Sequence, residues 1–110
     1  MTDKIIVCST CGSAAEANRV ARALVEARLA ACVSVGGPVD SIYRWKGAVE
    51  TAQEWTLTIK TRRDLLPALR AELARAHSYE VPEILAVPVA DGSEAYLDWL
   101  DAELRNRAPG

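Results

Sequence analysis

Apolar residues recur along this chain with two periods, one helical and one of two residues, and their alternation predicts the elements. Ile5-Ile6-Val7-Cys8 is a β-branched run, apolar on both faces, and reads as a buried strand. Ser13-Ala14-Ala15-Glu16 has the form of a capping box, in which the Ser oxygen takes an orphan N–H and the Glu reaches back. Ala17, Val20, Ala21, Leu24 and Val25 follow at helical spacing, with Glu16, Asn18, Arg22 and Glu26 on the other side. A first helix is therefore predicted over 14–29. Residues 31–35 form a second strand, which Gly36-Gly37-Pro38 bends and Ser41-Ile42-Tyr43-Arg44-Trp45 continues. After a Lys46-Gly47 turn, Trp55, Leu57 and Ile59 point one way and Thr56, Thr58 and Lys60 the other, which makes a long antiparallel hairpin.

Asp64 is placed to cap a second helix, with Pro67 in its first turn and Leu65, Leu66, Leu69, Leu73 and Ala76 as its apolar stripe. A fourth strand over 83–87 is expected to end at Pro88 or to lie at a sheet edge, because Pro cannot donate to a ladder. Asp91-Gly92-Ser93 turns into a third helix with Tyr96, Leu97, Leu100 and Leu104 inward. Its acids lie early and Arg105 and Arg107 late, as the helix dipole favours, and residues 108–110 are expected to fray.

The order is strand-helix-strand twice over, with one helix added. It predicts an α+β fold, a ferredoxin-like βαββαβ sandwich with a long hairpin between its second and third strands and an extra C-terminal helix. Right-handed crossovers put both main helices on one face of the sheet. The other face still receives bulky apolar side chains, and the third helix can shield only part of it. Such a patch marks an interaction surface, so sheet-to-sheet self-assembly is expected.

Bulk properties narrow the partners. The 110 residues form one domain, 1–110, half hydrophobic and a quarter charged, an ordinary globular balance. A domain this small gains stability by association. Net charge is −2 and the ten Arg are dispersed, so no concentrated positive face is expected and no nucleic-acid partner. The apolar stretch after Met1-Thr2-Asp3-Lys4 is too short for a signal peptide or a membrane span. With an odd count of three cysteines, the expectation is a cytoplasmic chain with reduced thiols and no membrane partner.

Candidate chemistry is sparse. Cys8-Ser9-Thr10-Cys11 is a C-x-x-C at a strand-to-helix junction, where thiols can chelate a soft metal such as Cu(I) or exchange disulfides. The plainer reading of Cys8 and Cys32 is core packing. His77, the only histidine, closes the second helix and reads either as a cap or as a metal ligand. Tyr43, Trp45 and Trp55 serve binding or interface packing. Lys60 and Glu83 are charges on otherwise apolar strands; they are solvated or paired, or they line a cleft between subunits. There is no P-loop, no G-x-G-x-x-G and no G-x-S-x-G, and the thiols and histidine do not follow a closed zinc spacing, so no enzyme is expected.

Ala30-Ala31-Cys32-Val33, Ser41-Ile42-Tyr43-Arg44-Trp45-Lys46-Gly47 and His77-Ser78-Tyr79-Glu80-Val81-Pro82-Glu83-Ile84 closely resemble the signature segments of the CutA divalent-cation-tolerance family. Ile59-Lys60-Thr61 and Tyr96-Leu97-Asp98-Trp99-Leu100 fit as well, so the resemblance spans nearly the whole chain. It implies a PII-like homotrimer joined through the sheets and the hairpin, a response to metal ions, and candidate binding of copper or another divalent cation without enzymatic turnover. It also implies a metal site drawn from His77 with Cys8, or with Ser9 at the matching position; Cys11 is a further thiol, and Ala76 stands where some members carry a second histidine. An inter-subunit cleft would draw on Tyr43, Trp45, Lys60, Tyr79 and Glu83. The alternatives are a monomeric copper chaperone of the heavy-metal-associated type using Cys8 and Cys11, and a PII-like small-ligand signalling module.

Overall fold

A computed structural model describes residues 2–107. Strand β1 (Lys4–Cys11) leads into helix α1 (Ala14–Glu26), then β2 (Cys32–Trp45) and β3 (Ala48–Arg62) form the hairpin. A 3₁₀ turn (Arg63–Leu65) precedes α2 (Leu66–Ala76), and β4 (Leu85–Pro88) and α3 (Glu94–Glu103) close the chain. The strands lie in the order β2-β3-β1-β4, with every neighbouring pair antiparallel. That is the ferredoxin-like arrangement expected from the element order.

The two-residue period of β1 decides what each side chain sees. Ile5, Val7, Ser9 and Cys11 are buried, and the hydrophobic ones pack with Val20 and Leu24 of α1 and Leu69 and Leu73 of α2. Leu57 and Ile59 of β3 join them, so both helices share one face of the sheet. Each fully buried Leu or Ile there contributes about 1.5–3 kcal/mol. Ile6 and Cys8 alternate to the opposite face, which they share with the β4 residues paired to them, Val87 and Leu85. Leu85 is 61% exposed and Val87 50%. This face has no helical layer comparable to the first; α3 covers only one end of it, where Lys60 Nζ lies 3.0 Å from the Tyr96 hydroxyl.

Several local expectations shift. The Ser13 oxygen accepts from the Glu16 N–H, but the Glu16 carboxyl turns toward His77 rather than back to the cap. Helix α1 stops at Glu26 instead of 29: Arg28 takes a left-handed φ of 58°, and the N–H groups of Leu29 and Ala30 both donate to Leu24 O. Leu29 stays buried, which prolonged the apolar period past the helix end. Asp64 does not cap α2; it pairs with the buried Arg62 at 2.6 Å. Strand β4 begins at Leu85 rather than 83 and includes Pro88, tolerated because β4 is an edge. Tyr96 is 41% exposed, and of α3 and its C-terminal cap only Leu100 and Leu104 are buried. The expected fraying of 108–110 falls outside the described residues.

The hairpin bends where the glycines predicted it, with a register shift between Gly36 and Val39. Gly37 has φ +132°, and a Cβ there would stand 3.0 Å from Glu54 O and Trp55 Cα. Only glycine meets both demands. Lys46 and Gly47 both take positive φ, giving the tight turn at the hairpin tip.

Candidate functional site

Beyond the bulge, Val39, Ser41, Tyr43 and Trp45 pair across the hairpin with Glu54, Ala52, Glu50 and Ala48. Paired residues share a face, so Tyr43, Trp45 and Glu54 project from the side of the sheet away from α1 and α2. The connection from α2 to β4 passes over the same side. Between them lies a pocket of about 410 Å³, walled by Thr10, Tyr43, Trp45, Glu54 and the segment Tyr79-Glu80-Val81-Pro82-Glu83. That volume lies within the range of small-molecule sites.

Tyr79 is the post of this pocket. Its hydroxyl donates to Glu54 Oε2 at 2.8 Å, and its ring lies 4.7 Å from that of His77. Burial pushes the phenol well above the ordinary tyrosine range, and the Glu54 contact adds to the shift. Gly12 makes room: a Cβ there would stand 3.1 Å from the Tyr79 hydroxyl. Trp45 already has the Lys46 ammonium 5.7 Å from its ring centroid.

Behind Tyr79, Cys11, Glu16 and His77 bring possible ligand atoms within 4.8 Å of one another. Glu16 Oε1 is buried and has no hydrogen bond of good geometry among the described residues. Burial opposes its ionisation, but nearby Ser78, His77 and Arg19 outweigh that and lower its pKa. His77, however, is committed at both nitrogens. Nδ1 accepts the Tyr79 N–H at 3.0 Å, so the proton sits on Nε2, which donates to Thr10 O at 2.6 Å. His77 does stand at the C-terminal cap of α2, the cap position expected. Burial, then Glu16, pushes the Cys11 thiol up to about 11, which keeps it protonated at neutral pH. A metal there would have to displace the Cys11 thiol proton and one of the two hydrogen bonds of His77.

The site residues expected from sequence divide accordingly. His77 and Cys11 meet, 3.6 Å apart. Cys8 does not join them, because a three-residue offset on a strand turns it to the other face; Cys8 lies within β1, and Cys11, which ends the strand, is the one at the strand-to-helix junction. Ser9 is buried on the helix-covered face. Tyr43, Trp45, Tyr79 and Glu83 share the pocket, and Lys60 stands apart from it beside Tyr96. Sequence reasoning missed Glu54, Glu80, Thr10 and Glu16. The even parity of Glu54 with Thr56 and Thr58 was a usable signal for the first; nothing local marks the others.

Fold and pocket define a ferredoxin-like α+β domain with an extended hairpin and a third helix. Residues 5–103 match the family of the CutA1 divalent ion tolerance protein. The divalent-cation tolerance protein CutA of Thermus thermophilus is 46% identical over 95 residues, 86% of this chain and 92% of that protein. The solved Thermus structure superposes with a TM-score of 0.91 at 43% identity, covering 93% of this chain and 99% of its own. CutA1 from Oryza sativa superposes at 0.93 and 37% identity, covering 96% of this chain and 97% of its own. The chloroplastic CutA of Arabidopsis thaliana is 38% identical over 102 residues, 93% of this chain but 56% of that longer protein. The chain belongs to the CutA1 divalent ion tolerance family.

Proposed function

We propose that this chain is a non-enzymatic, self-assembling module of the response to divalent cations, a homotrimer that acts by binding a small ligand in the hairpin pocket. The observation that carries the reading is the uncovered sheet face, where Leu85 and Val87 stand 61% and 50% exposed on an edge strand beside the pocket wall. Apolar side chains so placed are costly to leave in water, and a second copy of the same face covers them. Cytoplasmic residence is part of the proposal; it rests on three free cysteines, and no helix among the described residues is long and apolar enough to cross a membrane.

Light scattering on the purified chain tests the assembly. The expected mass is three times 11.9 kDa, and Leu85→Lys with Val87→Lys is expected to reduce it. A folded monomer at micromolar concentration would falsify the reading.

Bound copper or another divalent cation is a second reading, favoured by the unpartnered Glu16 Oε1 beside Cys11 and His77. A copper(I) titration of the wild type against Cys8→Ser, Cys11→Ser and His77→Ala tests it, and equal binding by all four ends it. The monomeric chaperone alternative needs Cys8 and Cys11 to converge, and their opposed faces weigh against it.

A further inference from the structure

Helix α1 ends in a Schellman turn, with the Arg28 N–H donating to Val25 O and the Leu29 N–H to Leu24 O, both at 3.0 Å. Glycine is the usual residue at the left-handed position of such a turn, yet Arg28 holds it at φ 58°. Its side chain supplies the reason. Neither α1 nor α3 has a basic residue in its last turn to meet its open carbonyls. Each end is closed by an arginine from beyond the other. Arg28 donates through Nη2 to Ala102 O at 3.0 Å, and Arg105 donates through Nε to Ala27 O at 2.9 Å. Between them the Arg105 N–H donates to Arg28 O at 3.0 Å. Charges pin the rest of the segment after α3: Arg62 reaches Asp101 and donates to Arg105 O at 2.7 Å, and Arg107 pairs with Asp3 and Asp101. All these contacts lie within one chain, at the end that α3 itself covers, so they do not depend on what covers the open sheet face.

We propose that residues 101–107 and the Arg28 turn form a latch, which opens and closes as a unit on an intact core and so frees the end of α3 from the sheet. The apolar cluster under the latch has four buried residues, Ala31, Leu65, Leu100 and Leu104, against thirteen in the main core. Segments with few buried apolar contacts open at lower free energy than the core. The latch's other contacts are polar or ionic, and water and salt can replace them. The exchange of arginines is reciprocal: each stands on the segment that the other closes, so release of one side loosens both. Opening also relieves the left-handed backbone of Arg28.

Amide hydrogen exchange on the full chain tests this. Arg28 and Arg105 report the two halves of the latch, and Val7 and Ile59, both fully buried in the sheet, are the references. In the wild type the two latch amides are expected to have similar protection, at least about tenfold below the references. Salt raised from about 0.1 M to about 1 M is expected to lower it further at the latch alone. Arg105→Ala and Arg28→Gly both keep the backbone bond between these positions. Arg105→Ala is expected to lower protection about tenfold at both latch amides, the effect of losing a hydrogen bond from a charged donor. Arg28→Gly is the sharper variant. It relaxes the left-handed turn, so a merely structural turn would become better protected throughout, whereas the latch predicts exchange about tenfold faster at Arg105. Latch protection equal to that of Val7 and Ile59, no response to salt, a response to Arg105→Ala at one half only, or an Arg105 amide unmoved by Arg28→Gly each overturns the proposal. The wild-type arms need no variant, so a variant that fails to fold still leaves the latch open to refutation.

Discussion

Replacing Tyr79 by Phe removes one oxygen and leaves everything else in place, which makes it a clean probe of the pocket's frame. The lost group donates to Glu54 Oε2 at 2.8 Å, and Glu54 is only 8% exposed. Hydrogen bonds to charged acceptors contribute about 1.5–3 kcal/mol net, and a buried acceptor left alone keeps its desolvation cost. The ring of Phe still packs on His77, so the ring–ring contact at 4.7 Å survives. The expected loss is therefore about 1.5–3 kcal/mol, read from urea unfolding at fixed protein concentration. Glu54→Leu in the same background closes a double-mutant cycle: the second change should cost much less than it does alone, with a coupling of at least about 1 kcal/mol. The phenol also fixes the alkaline limb. Its pKa is raised on folding, so the stability it contributes is complete below the ordinary tyrosine value of about 10 and is lost as pH rises beyond it. Tyr79→Phe should flatten that limb. A variant within 0.5 kcal/mol of wild type, or a cycle without coupling, would show that the bond does not hold the pocket together.

Gly37→Ala forces a Cβ to 3.0 Å from Glu54 O at φ +132° and is expected to destabilise by about 2–3 kcal/mol, measured in the same urea series. Gly12→Ala meets a side chain rather than backbone, so Tyr79 can yield; about 1 kcal/mol is expected, with weaker ligand binding in calorimetry. Cys11, buried with its thiol raised to about 11, should resist iodoacetamide at neutral pH until the chain unfolds, as mass mapping of alkylated peptides would show. In acid, Asp3 is held down to about 2 because Lys4 and Arg107 outweigh its burial, and Asp64 and Asp101 are lowered through Arg62 and Lys4 against burial. Depressed carboxyls contribute stability above their unfolded pKa, so thermal midpoints should fall as pH drops from about 4 toward 2, and Arg62→Met should shrink that dependence.

Most of the sheet was legible because alternation is a local property: Leu57 and Ile59 face the helices and Thr56 and Thr58 do not, whatever else the chain does. The hairpin bend was legible because glycine and proline announce backbone geometry. Helix ends were less so. Leu29 continues the apolar period from within a loop, and Asp64 has the right chemistry for a cap but a stronger partner in Arg62. The candidate site was half legible. Aromatics on one strand and a glutamate near the fourth could be named, but Glu54 and Glu80 meet them only through a register shift and a connecting segment that carry no local signal.

The cysteine pair shows how a small error in strand length propagates into chemistry. Had β1 ended at Cys8, a C-x-x-C in a loop could close on one ion. Because it runs to Cys11, the two sulfurs stand on opposite sides of the sheet, and each enters a different problem. Cys8 sits on the face that has to find a cover. Cys11 sits under a histidine whose two bonds, to Thr10 and to Tyr79, tie β1 to the segment that walls the pocket. The imidazole thus ends as a strut: it orients Tyr79, which orients Glu54. A metal drawn to His77 would have to break that chain of contacts. Ligation there and a formed pocket therefore oppose each other, and any ion bound at His77 should loosen Tyr79 and Glu54 rather than steady them.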